Sequence, residues 1–184
     1  MPTSFGHVAV PLALGLGLGR KRIPPRLLLA GVLVSVLPDL DVLSLKFGVA
    51  SGTQFFHRGA THSLTVALAV ALLGACLHRR LRVSFRRAFF FLFIAAASHP
   101  VLDALTIGGQ GVALLWPWSV TRFLFPFHLV EIPPIDVSHV SPPVVFYWIS
   151  RRVCLEFARI WLPLMGCAGV IALVRRLRAK RPPA

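Results

Sequence analysis

The segment His57-Arg58-Gly59-Ala60-Thr61-His62-Ser63 decides the fold, because it stands at the start of an apolar run, 63–77, and carries two histidines, an arginine and two hydroxyl groups. Ionisable side chains at membrane depth are costly without partners, so a cluster of them predicts a functional site. Thr61 or Ser63 is expected to cap the helix that follows. The segment therefore predicts a bundle of apolar helices with a polar site at one end.

Composition places the chain among membrane proteins. Of its 184 residues, 56% are hydrophobic and 14% are charged, and the mean hydropathy is +0.75, which is too apolar for an ordinary soluble domain. The net charge of +14 does not indicate a nucleic-acid partner, because the basic residues lie between apolar runs. Cys76, Cys154 and Cys167 lack metal-site spacing and are expected to be small hydrophobes.

Five apolar runs predict five helices in a single membrane-embedded domain, 1–184. The runs are 8–19, 27–37, 63–77, 88–105 and 160–174. Residues 106–143 are rich in Gly, Pro and aromatics and predict a long loop. Residues 144–159 predict an amphipathic helix in the membrane interface, and 175–184 form a basic tail. The predicted fold class is an all-α membrane bundle, although several runs are shorter than the ~20 residues that a membrane span needs.

The basic residues also predict an orientation. If each run crosses the membrane once, three basic clusters fall on one side, which the positive-inside rule assigns to the cytoplasm. All six acidic residues then lie at the opposite, non-cytoplasmic end. The clusters comprise Arg20, Lys21, Arg22 and Arg26; Arg79, Arg80, Arg82, Arg86 and Arg87; and Arg175, Arg176, Arg178, Lys180 and Arg181.

Further potential metal ligands stand at the same predicted ends of other apolar runs: His7, the pair Asp39 and Asp41, and the pair His99 and Asp103. The members of the last pair are four residues apart, so a helix places both on one face, where they can share a cation. Together with His57 and His62 they offer imidazole and carboxylate groups, which favour zinc, manganese or iron over calcium. Several such ligands are enough for one or two metal ions, which would polarise a phosphoryl oxygen and generate hydroxide.

Each of these residues also has an ordinary interpretation. A single histidine at a membrane interface is usually solvated, and either aspartate can simply end a helix. Their convergence on one predicted face favours a metal site over separate explanations. His128 and Glu131 are additional candidates if their segment is helical, and Asp136 and His139 are weaker ones.

Five short motifs follow one another along the chain: Gly6-His7; Pro38-Asp39-Leu40-Asp41; the segment 57–63; Ser98-His99-Pro100-Val101-Leu102-Asp103; and Leu115-Trp116-Pro117 with Arg122-Phe123. In these motifs residues 5–125 resemble the YdjM-like family of bacterial inner-membrane proteins, described as metal-dependent hydrolases, of which one member is known as LexA-regulated. The His-Arg-Gly-x-Thr-His-Ser element is the most specific of them. The chain departs from the pattern at Val42, where some members have a histidine, and no motif matches beyond Phe127.

The resemblance implies a distant similarity to zinc-dependent phospholipase C, and hence a phosphoester substrate by analogy. It implies that a group of matching residues ligates the metal or neighbours it. These residues are His7, Asp39 or Asp41, His57, His62, His99 and Asp103.

The residues and the resemblance together predict a membrane-bound, metal-dependent hydrolase of a phosphoester, with membrane lipid among the candidate substrates. Zinc is the expected ion and manganese the alternative. Asp39 is expected to be a ligand because Pro38 fixes the backbone before it, which leaves Asp41 to act as a base or to orient a histidine. Arg58 is expected to neutralise a phosphate group.

Two other functions stay open. A transporter or channel would use the histidines and aspartates for protons or metal ions. A non-catalytic scaffold would bind anionic lipid through its basic loops.

Overall fold

The computed structural model describes residues 3–43, 47–50, 53–107, 111–131 and 141–179, with only the backbone described at Ile107 and Glu131. The chain begins with α1 (Ser4–His7), α2 (Ala9–Leu18) and α3 (Pro25–Val36), and a 3-10 helix, Leu37–Val42, continues α3. A second 3-10 helix, Ala60–His62, leads into α4 (Leu64–Cys76), which is followed by α5 (Phe85–Ala104). The last helices are α6 (Pro142–Glu156) and α7 (Leu162–Ala179). The predicted helical fold is confirmed.

The predicted loop 106–143 contains only short extended pairings in its described part. Strand β1 (Thr106–Ile107) pairs in parallel with β2 (Val130–Glu131), and Val112 forms an antiparallel bridge with Phe123. Further backbone hydrogen bonds hold the loop against the end of α5. Phe125 and Leu129 donate them to the carbonyls of Ala104 and Leu105.

The last two predicted elements form one helix. The sequence predicts a separate interfacial helix over 144–159, but α6 continues into α7 through a π-helical turn, Phe157–Trp161. The N–H of Leu162 bonds to the carbonyl of Phe157, five residues earlier. Pro163 follows and has no N–H to donate, so the wider turn carries the helix past it.

The helices bury small side chains and expose large ones. In α4, Ala67, Ala71 and Ala75 face the interior at four-residue spacing, while Leu68 and Leu72 are exposed. Gly31 of α3 lets Phe91 of α5 approach so closely that a Cβ on the glycine would lie 2.3 Å from the ring. Helices that pack through small residues and turn leucine outward are typical of a lipid environment, where burying leucine brings no hydrophobic gain.

Two helices of the described chain are long and apolar enough to cross a membrane, Phe85–Ala104 and the continuous helix Pro142–Ala179. Ser4–Leu18 and Leu64–Cys76 are apolar but shorter. A bundle in which five helices cross the membrane remains a prediction.

Two of the three basic clusters meet at one end of the bundle, because Arg26 donates a hydrogen bond to the carbonyl of Arg80. Arg175 of the third cluster donates to the carbonyl of Leu18, at the end of α2 beside the first cluster. Since α2, α3, α4 and α5 each have their basic flank at this end, their other ends are gathered together. The predicted metal ligands stand at those other ends.

Candidate metal centre

Four of the predicted ligands meet in one place. One ligand atom from each of His7, Asp39, His99 and Asp103 lies within 4.8 Å of every other. His7 Nε2 is 3.4 Å from Asp103 Oδ1, and His99 Nε2 is 3.5 Å from Asp39 Oδ1. The rings of His7 and His99 stack with their centres 3.6 Å apart. Three separate elements therefore contribute potential ligands to a single site: α1, the first 3-10 helix and α5.

His62 adds a fifth donor to this group. Its Nε2 atom lies 3.1 Å from His99 Nε2 and 3.3 Å from Asp103 Oδ2. The Asp39 carboxylate is 3.9 Å away. The second 3-10 helix thus places a further imidazole beside the potential ligands from α5.

The burial of these groups fits a cation. The side chains of His7, His62, His99 and Asp103 are fully buried, and that of Asp39 is 12% exposed. The side-chain nitrogens of His7 and the carboxylate oxygens of Asp39 and Asp103 make no well-formed hydrogen bond to any described residue, although His7 Nε2, Asp39 Oδ1 and both Asp103 oxygens lie at ion-pair distance from a neighbouring group. Buried carboxylates without hydrogen bonds are costly unless a metal or charge partner compensates them. Three imidazoles and two carboxylates form a donor set that suits zinc or manganese.

Two neighbours orient the histidines toward the centre. His99 Nδ1 lies 2.7 Å from the carbonyl oxygen of Ser35 and must donate to it, so its Nε2 lone pair faces the other ligands. His62 Nδ1 lies 3.0 Å from Asp41 Oδ2, which has the same effect on its Nε2 atom. A carbonyl or carboxylate behind a ligating histidine is a recurrent feature of metal sites.

Asp41 is surrounded by hydrogen-bond donors. It accepts from His57 Nδ1 at 2.6 Å, from the Thr61 hydroxyl at 2.5 Å and from the Arg58 backbone N–H at 3.2 Å, besides contacting His62. Burial alone would raise the pKa of Asp41, but the hydrogen bonds from His57, His62 and Thr61 and the charge of His62 lower it well below its ordinary value. Of the two roles expected for Asp41, this geometry favours orienting a histidine over accepting a proton.

The same surroundings act on His62 in the opposite direction. Burial would lower its pKa, but its close contacts with the Asp103 and Asp41 carboxylates and the charges of both raise it to about 9. In the metal-free protein a proton on His62 thus supplies positive charge between the carboxylates.

The two aspartates diverge because of the local backbone. The Pro38-containing segment Leu37–Val42 is a 3-10 helix with three residues per turn. Side chains two positions apart therefore point in different directions around the helix axis. Asp39 reaches His99, and Asp41 reaches His57 and the backbone of the neighbouring loop.

The Arg58-Gly59 step bends the loop so that Arg58 points inward. Arg58 has a positive φ of 64°, a backbone conformation that residues other than glycine rarely adopt. Its side chain is buried, with Nε 3.5 Å from Asp103 Oδ2. Gly59 packs against the preceding turn, where an added Cβ would lie 2.1 Å from the carbonyl oxygen of Gln54. Ser63, one of the two expected caps, accepts a hydrogen bond from Val66 N–H and caps α4.

His57 belongs to a second group of ligand atoms, with Asp41 and His62. His128 is in neither group of the described residues. The side chain of Glu131, and Asp136 and His139 as a whole, lie outside the described part of the chain.

Three supporting contacts go beyond what the sequence predicts. The Ser35 carbonyl behind His99 leaves no trace in residue type, and Thr61 is predicted from sequence only as a helix cap. Arg122 donates to the carbonyls of Thr53, His57 and Gly111 and so ties down the loop that carries Arg58. Burial and the nearby Arg58 lower the pKa of Arg122. The sequence indicates Arg122 only through its place in the Arg122-Phe123 motif.

Comparison with known proteins extends the similarity to nearly the whole chain. The sequence profile of the family described as YdjM inner membrane protein matches residues 1–176. Inner membrane protein YbcI of Escherichia coli (strain K12) is 46% identical over 177 residues, which cover 96% of this chain and 100% of that protein. No solved structure matches the chain.

Proposed function

Because the chain belongs to the YdjM inner membrane protein family, we propose that it is a multi-pass, metal-dependent hydrolase of the bacterial inner membrane that cleaves a phosphoester. One observation carries the proposal: the buried convergence of His7, Asp39, His62, His99 and Asp103 from four separate segments. The buried carboxylate oxygens at its centre have no hydrogen bonds among the described residues, as expected of groups that hold an ion.

The division of labour follows from the contacts. A divalent ion, with zinc expected and manganese the alternative, supplies Lewis-acid activation when bound. Asp41 and the Ser35 carbonyl keep the ligating nitrogens of His62 and His99 turned inward. Arg58, buried beside Asp103, holds a guanidinium where the phosphate of a substrate would need charge neutralisation.

The proposed site faces the non-cytoplasmic side. The basic clusters gather at the end of the bundle opposite the ligands, and the positive-inside rule places such clusters in the cytoplasm. Single-domain organisation over 1–184 is part of the same proposal.

A conduit for ions would need polar groups beyond the site. Among the described residues, none of the buried polar side chains lies between the site and the basic end, where the core is built of apolar side chains. They are Ile23, Leu27, Ala71, Ala75, Ala88, Phe91 and Leu92. This favours a closed catalytic site over a transport path.

The test combines metal analysis with an assay. Purified protein in detergent should contain zinc or manganese and should hydrolyse members of a phosphomonoester and phosphodiester panel. His99→Ala should lose both properties, and His78→Ala is the matched control, since His78 bonds to the carbonyl of Val83 away from the ligand groups. A wild-type protein without bound metal, or with metal but no hydrolysis across the panel, would refute the proposal.

A further inference from the structure

An apolar cavity of about 150 Å³ lies between α3, α4 and α5, directly beside the metal centre. Four lining residues, Pro38, Thr61, Ser63 and Pro100, are the immediate chain neighbours of the candidate ligands Asp39, His62 and His99. Away from them the lining is aliphatic. It consists of Val34, Leu37, Val66, Ala67, Val70 and Ala96. The cavity therefore lies between the polar site and the apolar part of the bundle.

The polar side chains that line the cavity are already engaged. The Thr61 hydroxyl donates to Asp41, and the Ser63 hydroxyl accepts from the Val66 N–H. The remaining lining residues carry only apolar side chains. A polar occupant would leave its hydrogen-bonding groups unsatisfied, which is costly in an apolar surrounding. The cavity therefore suits hydrocarbon.

The size of the cavity limits that hydrocarbon. An apolar cavity of this volume holds a benzene-sized group of about six carbons. A chain entering from the metal centre would lie along α4, beside Ala67 and Val70, where small side chains leave the room. An occupant that fills both places has a polar head at the metal and an alkyl chain in the cavity.

We propose that this cavity is the binding site for the alkyl chain of an amphiphilic phosphoester substrate, whose phosphate lies at the metal centre. The inference rests on the proposed function and specifies its substrate class. The aliphatic wall selects for chain length, and Arg58 and the metal select for the phosphate.

The experiment measures binding of methyl-, butyl- and hexylphosphonate to the metal-loaded protein in detergent. In wild type each added methylene should strengthen binding by roughly two- to fourfold, the effect of burying one CH₂ group. Ala67→Phe should place a ring in the cavity and abolish this dependence, while binding of methylphosphonate and metal content stay unchanged. Val70→Phe is a second variant with the same expectation. Leu68→Phe is the matched control, because Leu68 is exposed on the outer side of α4.

Each result is decisive for one of the two proposals. Equal binding of the three phosphonates by wild type, or the same chain-length dependence in Ala67→Phe and Val70→Phe as in Leu68→Phe, overturns the cavity inference even if phosphoesters are hydrolysed. Cavity-dependent binding of hexylphosphonate by a protein that hydrolyses nothing overturns the proposed hydrolase function and supports the cavity.

Discussion

Glu156 accepts two hydrogen bonds from Thr3, although the residues are 153 positions apart: the backbone N–H of Thr3 lies 2.8 Å from Oε1 and its hydroxyl 2.6 Å from Oε2. Glu156 is fully buried, and Arg152 Nε lies 3.2 Å from the same Oε1 atom. One turn further along, Trp161 stacks on Phe5 with ring centres 4.5 Å apart. The long last helix therefore holds the N-terminal turn that presents His7.

Removing the Glu156 carboxylate should weaken metal binding, although Glu156 is not itself a candidate ligand. Glu156→Gln places an amide NH₂ where Thr3 needs an acceptor, and it removes the charge that pairs with Arg152. We expect zinc affinity to fall by about tenfold, since displaced supporting groups cost roughly 10–100-fold at metal sites. Competition with a chelator measures the change. Tyr147→Phe, at an exposed position of α6, is the control, and unchanged zinc affinity in Glu156→Gln would show that His7 needs no such support.

The two aspartates should differ in the damage that their loss causes. Asp39→Asn should nearly abolish zinc binding because Asp39 faces the ligand nitrogens of His62 and His99. Asp41→Asn should lower zinc affinity by about 10–100-fold, since the residue orients His62 from behind. Metal content and hydrolysis should be measured on the same samples. The reverse order of effects would exchange the two roles.

Zinc affinity should rise with pH up to about 9. The folded-state pKa of His62 is about 9, above its ordinary value of ~6.5. Protonated His62 therefore stabilises the metal-free fold fully below pH ~6.5, and this stabilisation is lost as the pH rises through 9. Zinc must displace that proton, so its affinity should increase by up to about tenfold per pH unit in this window.

The pH effect can be checked by measuring zinc affinity and the unfolding temperature of the metal-free protein across the same window. Asp41→Asn should flatten the dependence because one of the groups that raises the pKa of His62 is removed. His78→Ala should leave it intact. A zinc affinity that is independent of pH would mean that His62 is not a ligand.

Gly59 should not tolerate a side chain. In Gly59→Ala the new Cβ would lie 2.1 Å from the carbonyl oxygen of Gln54, so the loop that carries Arg58 must shift. We expect a loss of about 1–3 kcal/mol in the free energy of unfolding and weaker metal binding. Gly169→Ala is the control, because nothing lies within 4 Å of the position that its new Cβ would take; it should stabilise α7 by up to about 1 kcal/mol. Equal stability of both variants would contradict the assigned packing.

The orientation can be tested with reporter fusions. Fusions after Arg87 and after Ala184 should report the cytoplasm, and a fusion after Gly111 the opposite side, since Arg26 and Arg80 meet at the basic end. A cytoplasmic signal at Gly111 would place the metal centre on the wrong side of the membrane for the proposed function.

The sequence by itself determined the helical elements and the ligand candidates. In an apolar environment, runs of this composition satisfy their own backbone hydrogen bonds only as helices. The helices before His99 and after His62 could therefore be predicted from the sequence. Ionisable residues at the ends of such runs are costly unless paired, which singled out His7, Asp39 and Asp103 before any contact was known.

Only the tertiary structure decided which partners each of these residues contacts. Asp39 and Asp41 are chemically identical, and the 3-10 backbone turns one toward His99 and the other toward His57. The bond between Thr3 and Glu156 and the cavity beside Ala67 likewise have no signature in residue type. Residue type and periodicity are local properties, whereas these contacts join segments that meet only when the helices pack, and packing geometry depends on all of them at once.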